Sequence, residues 1–380
     1  MQTIPLGLYI HLPWCERKCP YCDFNSHEAR NIPEMDYVDA LLRDLDIDRK
    51  LAGDRPVSSL FIGGGTPSLF SGRAIARLLA GIGSLVELSP SLEASMEANP
   101  GSAEAEKFTA FREAGINRLS LGVQSFDDVQ LQALGRVHNS DQARAAVSHA
   151  LDAGFDSINI DLMHGLPGQT AASAEADLRA ALAFGPPHLS WYQLTIEPNT
   201  VFHKRPPPLP VEDALAEIQE AGECILASAG YRQYEVSAYS REGFRCRHNL
   251  NYWSFGDYLG IGAGAHGKIT FADGRIQRYA KKRQPADYMA AAGETFTARR
   301  HELSANDRSG EFMLNALRLR EGFSMTRFSA RTGLDPAAIS ATVQDLMQRG
   351  LLESAGAQIR ASELGRRFLD TVIAEFFPER

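Results

Sequence analysis

Cysteine is scarce. The 380 residues hold five, and three of them, Cys15, Cys19 and Cys22, fall within eight positions. A secreted disulfide framework spreads an even number along a short chain. This pattern points instead to a reducing compartment, the cytoplasm, and to a metal site. No apolar run approaches the roughly 18 residues that a membrane span needs, so no transmembrane segment is expected. Met1–Leu12 carries no basic run ahead of its apolar stretch and reads as a first strand rather than a signal peptide. Cationic blocks are missing too. Lys and Arg number 39 against 47 Asp and Glu, a net charge of −8, which argues against general nucleic-acid binding. There is no Ser-His-Asp signature, Walker loop or dinucleotide fingerprint. What is present is ordinary globular composition, 44% hydrophobic and 23% charged, at a length suited to two or three domains.

Short β-rich runs alternate with helical stretches over the first 230 or so residues. Strands are expected at Gly7–Leu12, Ser58–Ile62, Leu92–Glu97, Arg118–Val123, Ser157–Asp161 and Leu189–Ile196. Apolar stripes at 3–4 spacing predict helices over Met35–Leu51, Ile75–Val86, Ala105–Ala114, Ala143–Ala153, Ala174–Phe184 and Ala214–Ala229. Six βα units imply an α/β fold with a parallel sheet, either a partial barrel or an open doubly wound sheet. Both place ligands at the carboxyl ends of the strands. The expected units are 1–235 for this barrel, 236–300 for a linking segment with a hairpin at Asp273-Gly274, and 301–380 for a C-terminal domain.

That last unit reads as three helices (Asn306–Leu319, Met325–Thr332, Pro336–Gln348), a ribbon over Leu351–Arg360 and a final helix, Ser362–Phe376. The pattern is winged-helix-like. Its ten arginines, no lysines and eleven acidic residues leave no cationic face for a phosphate backbone, so a packing or lid role is expected instead.

The sharpest motif is Cys15-Glu-Arg-Lys-Cys19-Pro-Tyr-Cys22, directly after the first strand. Fe–S clusters are normally held by four cysteines, so three leave one iron open to a substrate or cofactor. A structural zinc site with His11 or His27 as fourth ligand is the alternative. Zinc loops usually pair two separate halves, and Cys224 and Cys246 stand far away and alone. Gly63-Gly64-Gly65 after the second strand permits close approach of backbone to a ligand, or simply a tight turn. Glu97, Gln124 and Asp161 end the third, fourth and fifth strands, so all three face one mouth.

The C-x3-C-x2-C loop resembles the signature of the radical S-adenosylmethionine (SAM) superfamily, whose fold is a partial (β/α)6 barrel. Within it the chain is similar to the subfamily of the oxygen-independent coproporphyrinogen III dehydrogenase and its heme-chaperone relatives. The resemblance is carried by Gly7–Cys15, Gly63–Pro67, Glu97–Pro100, Gly122–Phe126, Asp161–Pro167 and His248–Trp253. It implies a [4Fe–4S] cluster on Cys15, Cys19 and Cys22, with SAM on the open iron. It implies SAM contacts from Gly64, Gly65, Thr66 and Glu97, and a second-SAM lining from Gln124, Arg136, Asp161, Tyr9 and Tyr21.

The dehydrogenase has a fourth cysteine two residues after the third. Phe24 stands there in this chain, which is the heme-chaperone pattern and predicts that coproporphyrinogen III dehydrogenase activity is absent. His248-Asn249-x-x-Tyr252-Trp253 also matches that branch. A neutral imidazole is the commonest axial ligand of heme iron, and Tyr and Trp could stack on or edge the porphyrin. The alternative is a hydrogen-bonded core histidine; His266 and Cys246 are further ligand candidates. The function implied is a heme chaperone passing heme to acceptor proteins, with membrane cytochromes among the candidates. The rivals are the dehydrogenase itself and a radical-SAM enzyme that modifies heme or another tetrapyrrole.

Overall fold

The computed structural model describes residues 4–101 and 106–377. Six parallel strands, β1 (Leu6–Leu12), β2 (Val57–Gly64), β3 (Leu88–Ala98), β4 (Arg118–Gln124), β5 (Ser157–His164) and β6 (His188–Gln193), pair in order. They alternate with α1 (Glu34–Ala52), α2 (Gly72–Leu85), α3 (Phe108–Ala114), α4 (Ser140–Asp152), α5 (Ala171–Ala183) and α6 (Glu212–Ser228). This is the expected partial (β/α)6 barrel. Ala105, the first residue of the expected third helix, lies outside the described residues.

Period-2 alternation sorts the two faces of each strand. Leu8, Ile10, Leu60, Ile62, Met96, Leu119, Leu121, Ile158 and Ile160 are buried in the core beneath the helices. The residues between them, such as Tyr9, Phe61, Ser120 and Asn159, line an internal cavity. The barrel is therefore apolar outside, where helices cover it, and largely polar within. Helix starts follow local chemistry. The Ser71 hydroxyl accepts from Ala74 N at 3.2 Å to cap α2, and Asn139 with Gln142 forms a capping box on α4. Such caps are worth about 1 kcal/mol each.

Residues 236–300, expected as a link, are woven into the same sheet, together with the end of the segment before them. β7 (Arg232–Gln233) and β8 (Ala238–Ser240) lie antiparallel beyond β6. On the opposite side β9 (Asp257–Ile261) runs parallel to β1. It is followed by antiparallel β10 (His266–Thr270), β11 (Ile276–Lys281) and β12 (Thr297–Glu302). The described residues give a 12-stranded sheet in the order β12-β11-β10-β9-β1-β2-β3-β4-β5-β6-β8-β7. All five residues of β9 are buried, so it shows no alternation in sequence. A buried triad fastens this extension to the barrel: Lys281 Nζ lies 2.6 Å from both Asp44 Oδ1 and Asp48 Oδ2 on α1.

The C-terminal unit contains α8 (Ala305–Ala316), α9 (Met325–Thr332), α10 (Ala337–Gln348) and the ribbon β13 (Leu352–Ala355)–β14 (Gln358–Ala361), packed around Phe312, Phe323, Phe328 and Leu346. The expected final helix, Ser362–Phe376, is broken. Phe368 leaves helical dihedrals (φ −120°, ψ 36°), dividing it into Glu363–Arg367 and Leu369–Ala374.

Candidate functional site

The cysteines sit on the loop that follows β1. The loop is closed at its neck by a two-residue parallel bridge, Trp14–Cys15 with His27–Glu28. Inside it, Cys22 N donates to Cys19 O at 3.1 Å, which turns both side chains toward a cavity of about 520 Å³. Burial raises the pKa of the Cys15 and Cys22 thiols, so hydrogen-bond donors or a cation are needed to hold thiolates there. Two contacts address that need. The Thr66 hydroxyl donates to Cys15 Sγ at 3.5 Å. Arg136 Nη1 lies 3.6 Å from Cys19 Sγ. Asn99 ties both together, accepting from Arg136 Nη2 at 2.8 Å and donating to Thr66 Oγ1 at 3.3 Å. Asn99 belongs to the Glu97–Pro100 motif but carries no expected role; the structure gives it one.

The glycine turn presses against this loop. A Cβ on Gly65 would stand 2.4 Å from the Trp14 carbonyl oxygen. One on Gly64, at φ +120°, would meet the His11 ring at 2.7 Å. Their amides are engaged within the protein: Gly64 N donates to Glu97 Oε2 at 3.2 Å, and Gly65 N to Leu12 O at 2.8 Å. What they can offer a ligand's ammonium is carbonyl oxygen. The glycines thus serve loop packing as well as ligand approach.

The strand-end residues converge as expected. Glu97, Gln124 and Asp161 line the first cavity with Arg136, Tyr21 and the three cysteines. Gln124 adopts φ 71°, and its Oε1 accepts from the Tyr192 hydroxyl at 2.7 Å. Asp161 accepts from Ser120 Oγ at 2.9 Å and Asn159 Nδ2 at 2.7 Å. Tyr9 parts from this group. It lines a second cavity of about 550 Å³, inside the barrel, that meets the first at Phe24, Glu97, Ser120 and Asp161.

Burial, with the Asp161 charge nearby, pushes the Glu97 pKa from 4.5 to about 8. The sign follows directly: between those values the folded chain holds a proton that the unfolded chain has released. The stability contributed by neutral Glu97 is complete below about pH 4.5 and lost as pH rises through about 8. In cofactor-free protein, Glu97→Gln is expected to flatten that decline by on the order of a few kcal/mol between about pH 5 and 9. Denaturant melts across pH measure it, and superimposable curves for the two proteins would refute it.

The second cavity gathers the His248 motif. α7 (Arg247–Trp253) is anchored by Glu93, whose Oε1 accepts from Arg247 N at 2.8 Å and His248 N at 3.1 Å. This carboxylate meets the positive helix end. His248 is buried. Its ring stacks on Phe61, with centroids 5.1 Å apart, and its Nδ1 lies 3.3 Å from Ser59 Oγ. Burial lowers its pKa from 6.5 to about 4, so the imidazole is neutral. Tyr9, Tyr252, Trp253, Cys246 and His266 share the cavity wall. The Cys246 thiol is pushed up to about 12 by burial, which suits a packing role. Phe61 was not among the expected site residues, although its alternation with Ser59 and Gly63 on β2 marks it as inward-facing.

The Radical SAM superfamily matches residues 9–181, and the HemN C-terminal domain matches residues 303–368. The chain is 48% identical to the heme chaperone HemW of Escherichia coli (strain K12), covering 99% of both chains. It belongs to the HemW family. The HemW of Bacillus subtilis (strain 168) is 35% identical over 98% of this chain and 99% of its own. The coproporphyrinogen III oxidase HemN of Escherichia coli, a radical SAM enzyme, superposes with a TM-score of 0.81 at 24% identity, covering 98% of this chain and 90% of that one. That likeness concerns the fold.

Radical SAM membership implies a [4Fe–4S] cluster and SAM, and the donor set suits a cubane better than zinc. Tetrahedral zinc gathers its thiolates within about 4 Å of one another. Among the described residues no three Cys, His, Asp or Glu side chains gather around one such point. A cubane takes one thiolate per iron and needs wider spacing. His11, a candidate fourth zinc ligand, has both ring nitrogens engaged, with the Tyr9 hydroxyl at 3.0 Å and the Asn25 carbonyl at 2.8 Å. Arg136 Nε is buried without a partner among the described residues, as fits a residue set beside an anionic group.

Proposed function

We propose that this chain is a heme chaperone that binds heme in the second cavity and passes it to acceptor proteins. The observation that carries the reading is His248. Its neutral imidazole is oriented by Ser59 and Phe61 and faces an aromatic-walled cavity, while its Nε2 has no protein hydrogen-bond partner among the described residues. A ligand nitrogen fixed through its other ring nitrogen is the usual arrangement at metal centres. The cavity volume lies within the range of sites that hold compact organic ligands.

In the first cavity, Cys15, Cys19 and Cys22 would hold the [4Fe–4S] cluster, and the carbonyls of the Gly64–Thr66 turn would receive the ammonium of SAM. Glu97, Gln124, Arg136 and Asp161 line its approach, with Tyr21 at the side. When bound, the cluster would supply one-electron chemistry there. The protein's own residues position, desolvate and separate the two cavities, with Phe24 standing between them. Among the described residues no helix is long and apolar enough to cross a membrane. We place the chaperone in the cytoplasm, with membrane cytochromes among its candidate acceptors.

Heme titration of purified, cluster-loaded protein tests the reading. Saturable binding at one heme per chain is expected, and a featureless, non-saturating titration would refute it. A companion prediction rests on Phe24, which is 58% exposed at the junction of the cavities and offers no thiol there. Anaerobic incubation with SAM, reductant and coproporphyrinogen III is expected to yield no protoporphyrinogen IX. Multiple turnovers would transfer the protein to the dehydrogenase reading.

A further inference from the structure

The inner face of β4 carries a cation that makes no ion pair among the described residues. Arg118 is only 3% exposed and lines the second cavity. Its Nη1 donates to Ser157 Oγ at 2.7 Å and to the Phe244 carbonyl at 3.2 Å. Both acceptors are neutral. No carboxylate lies within ion-pair distance of it among the described residues. The other edge of the guanidinium, Nε and Nη2, makes no protein hydrogen bond among the described residues, yet neither atom is sealed from the cavity space. Buried charges are ordinarily paired. A guanidinium with one edge fastened and the other open is shaped for a bidentate carboxylate.

The neighbours sharpen the assignment. Asn159 cannot take that role, because its Nδ2 donates to Ser120 and Asp161 and its Oδ1 receives His188 and Ser190. His188 is likewise closed, between Asn159 at 2.6 Å and the Tyr234 hydroxyl at 2.9 Å. The carboxyls of Glu97 and Asp161, at the junction with the first cavity, offer an anion no cationic partner. Arg118, at the start of β4, is thus the one guanidinium lining this cavity among the described residues. Strand register sets it level with the His248 stack: Tyr9 pairs with Phe61, Phe61 with Ser95, and Ser95 with Arg118.

We propose that Arg118 receives a carboxylate of the molecule that fills the second cavity. On the heme reading, from which this inference follows, that group is a propionate. Arg118 then fixes the rotation of the porphyrin about the His248–iron axis. It also makes the site selective for tetrapyrroles with free acid side chains.

The experiment compares heme with heme dimethyl ester, whose propionates are capped, on cluster-loaded protein. Wild-type protein is expected to prefer heme by about 10–100-fold, the range of a charge-assisted pair. Arg118→Gln is expected to lose most of that preference while still binding the ester as wild type does. Arg118→Lys, which keeps the charge without the fork, is expected to fall between. Equal affinity of wild-type protein for acid and ester, a comparison that needs no variant, would overturn the inference and leave the heme reading standing. Discrimination retained in Arg118→Gln would overturn it too. Failure of wild-type protein to bind either porphyrin would overturn both readings together.

Discussion

Replacing Cys15, Cys19 or Cys22 by alanine, one at a time, is expected to take anaerobically reconstituted protein from about four irons per chain to nearly none. A cubane held by three thiolates already leaves one iron without a protein ligand. Removing another leaves two ligands on a loop where burial raises the pKa of the Cys15 and Cys22 thiols. The contacts that offset this, from Thr66 to Cys15 and from Arg136 to Cys19, cannot supply a missing metal ligand. Cys224 is exposed on α6, and Cys246 is buried in the wall of the second cavity. Alanine at either position is expected to leave iron unchanged. Iron and sulfide analysis with the cluster's visible absorption reads the result. Stoichiometric zinc in freshly isolated anaerobic protein, or full iron in any of the three loop variants, would defeat the assignment.

The barrel was legible because its strands and helices obey simple periods. Apolar 3–4 stripes mark the helices, and β-branched runs ending in Gly, Asn or Pro mark the strands. The cluster loop was legible because its ligands are local: Cys15 to Cys22 is one short segment, and no long-range pairing is needed to assemble it. The second cavity is different. Arg118, Phe61, Ser59 and His188 come from three strands, and only closure of the barrel brings them to α7. Their signal was nevertheless present. Polar or aromatic residues alternate with Leu and Ile along β2, β4 and β5, as in Arg118-Leu-Ser120-Leu-Gly122. In a closing parallel barrel the polar face of such a strand lines the interior. The strand ends Glu97, Gln124 and Asp161 mark the mouth, and Tyr9 and the His248 motif reach the interior through the family resemblance alone, while Arg118, Phe61 and His188 belong to no motif that singles them out. Asp273-Gly274 marks the β10–β11 hairpin, but β7, β8 and β9 were hidden for a separate reason. β7 and β8 have two and three residues, and β9 is buried on both faces, so neither length nor alternation announces them.

His248→Ala is expected to weaken heme at least tenfold and to shift its absorption band, while iron content and SAM binding persist. Losing an axial nitrogen costs more than losing a packing contact, because the iron must then take water or a weaker donor. Two neighbours calibrate the effect. Tyr252 stacks on Tyr258 at 4.5 Å, and their hydroxyls meet at 2.6 Å. Trp253 lies under the Arg318 guanidinium, 4.4 Å from the ring centroid. Alanine at either is expected to cost about 1–3 kcal/mol of heme affinity through lost aromatic burial, with the absorption band in place. The pH dependence follows from the burial of the ring. With its pKa lowered to about 4 by burial, His248 is neutral throughout the physiological range, so wild-type heme affinity is expected to be alike at pH 6 and pH 8. Below that range the unfolded chain takes up the proton first, and stability falls as pH drops from about 6.5 through 4. His248→Ala removes that acid sensitivity together with the heme band. Unchanged heme affinity and spectrum in the variant would move the ligand to His266 or Cys246. Joint loss of heme, cluster and solubility would make His248 a residue of the core, held by Ser59, Phe61 and Glu93 for the sake of the fold alone.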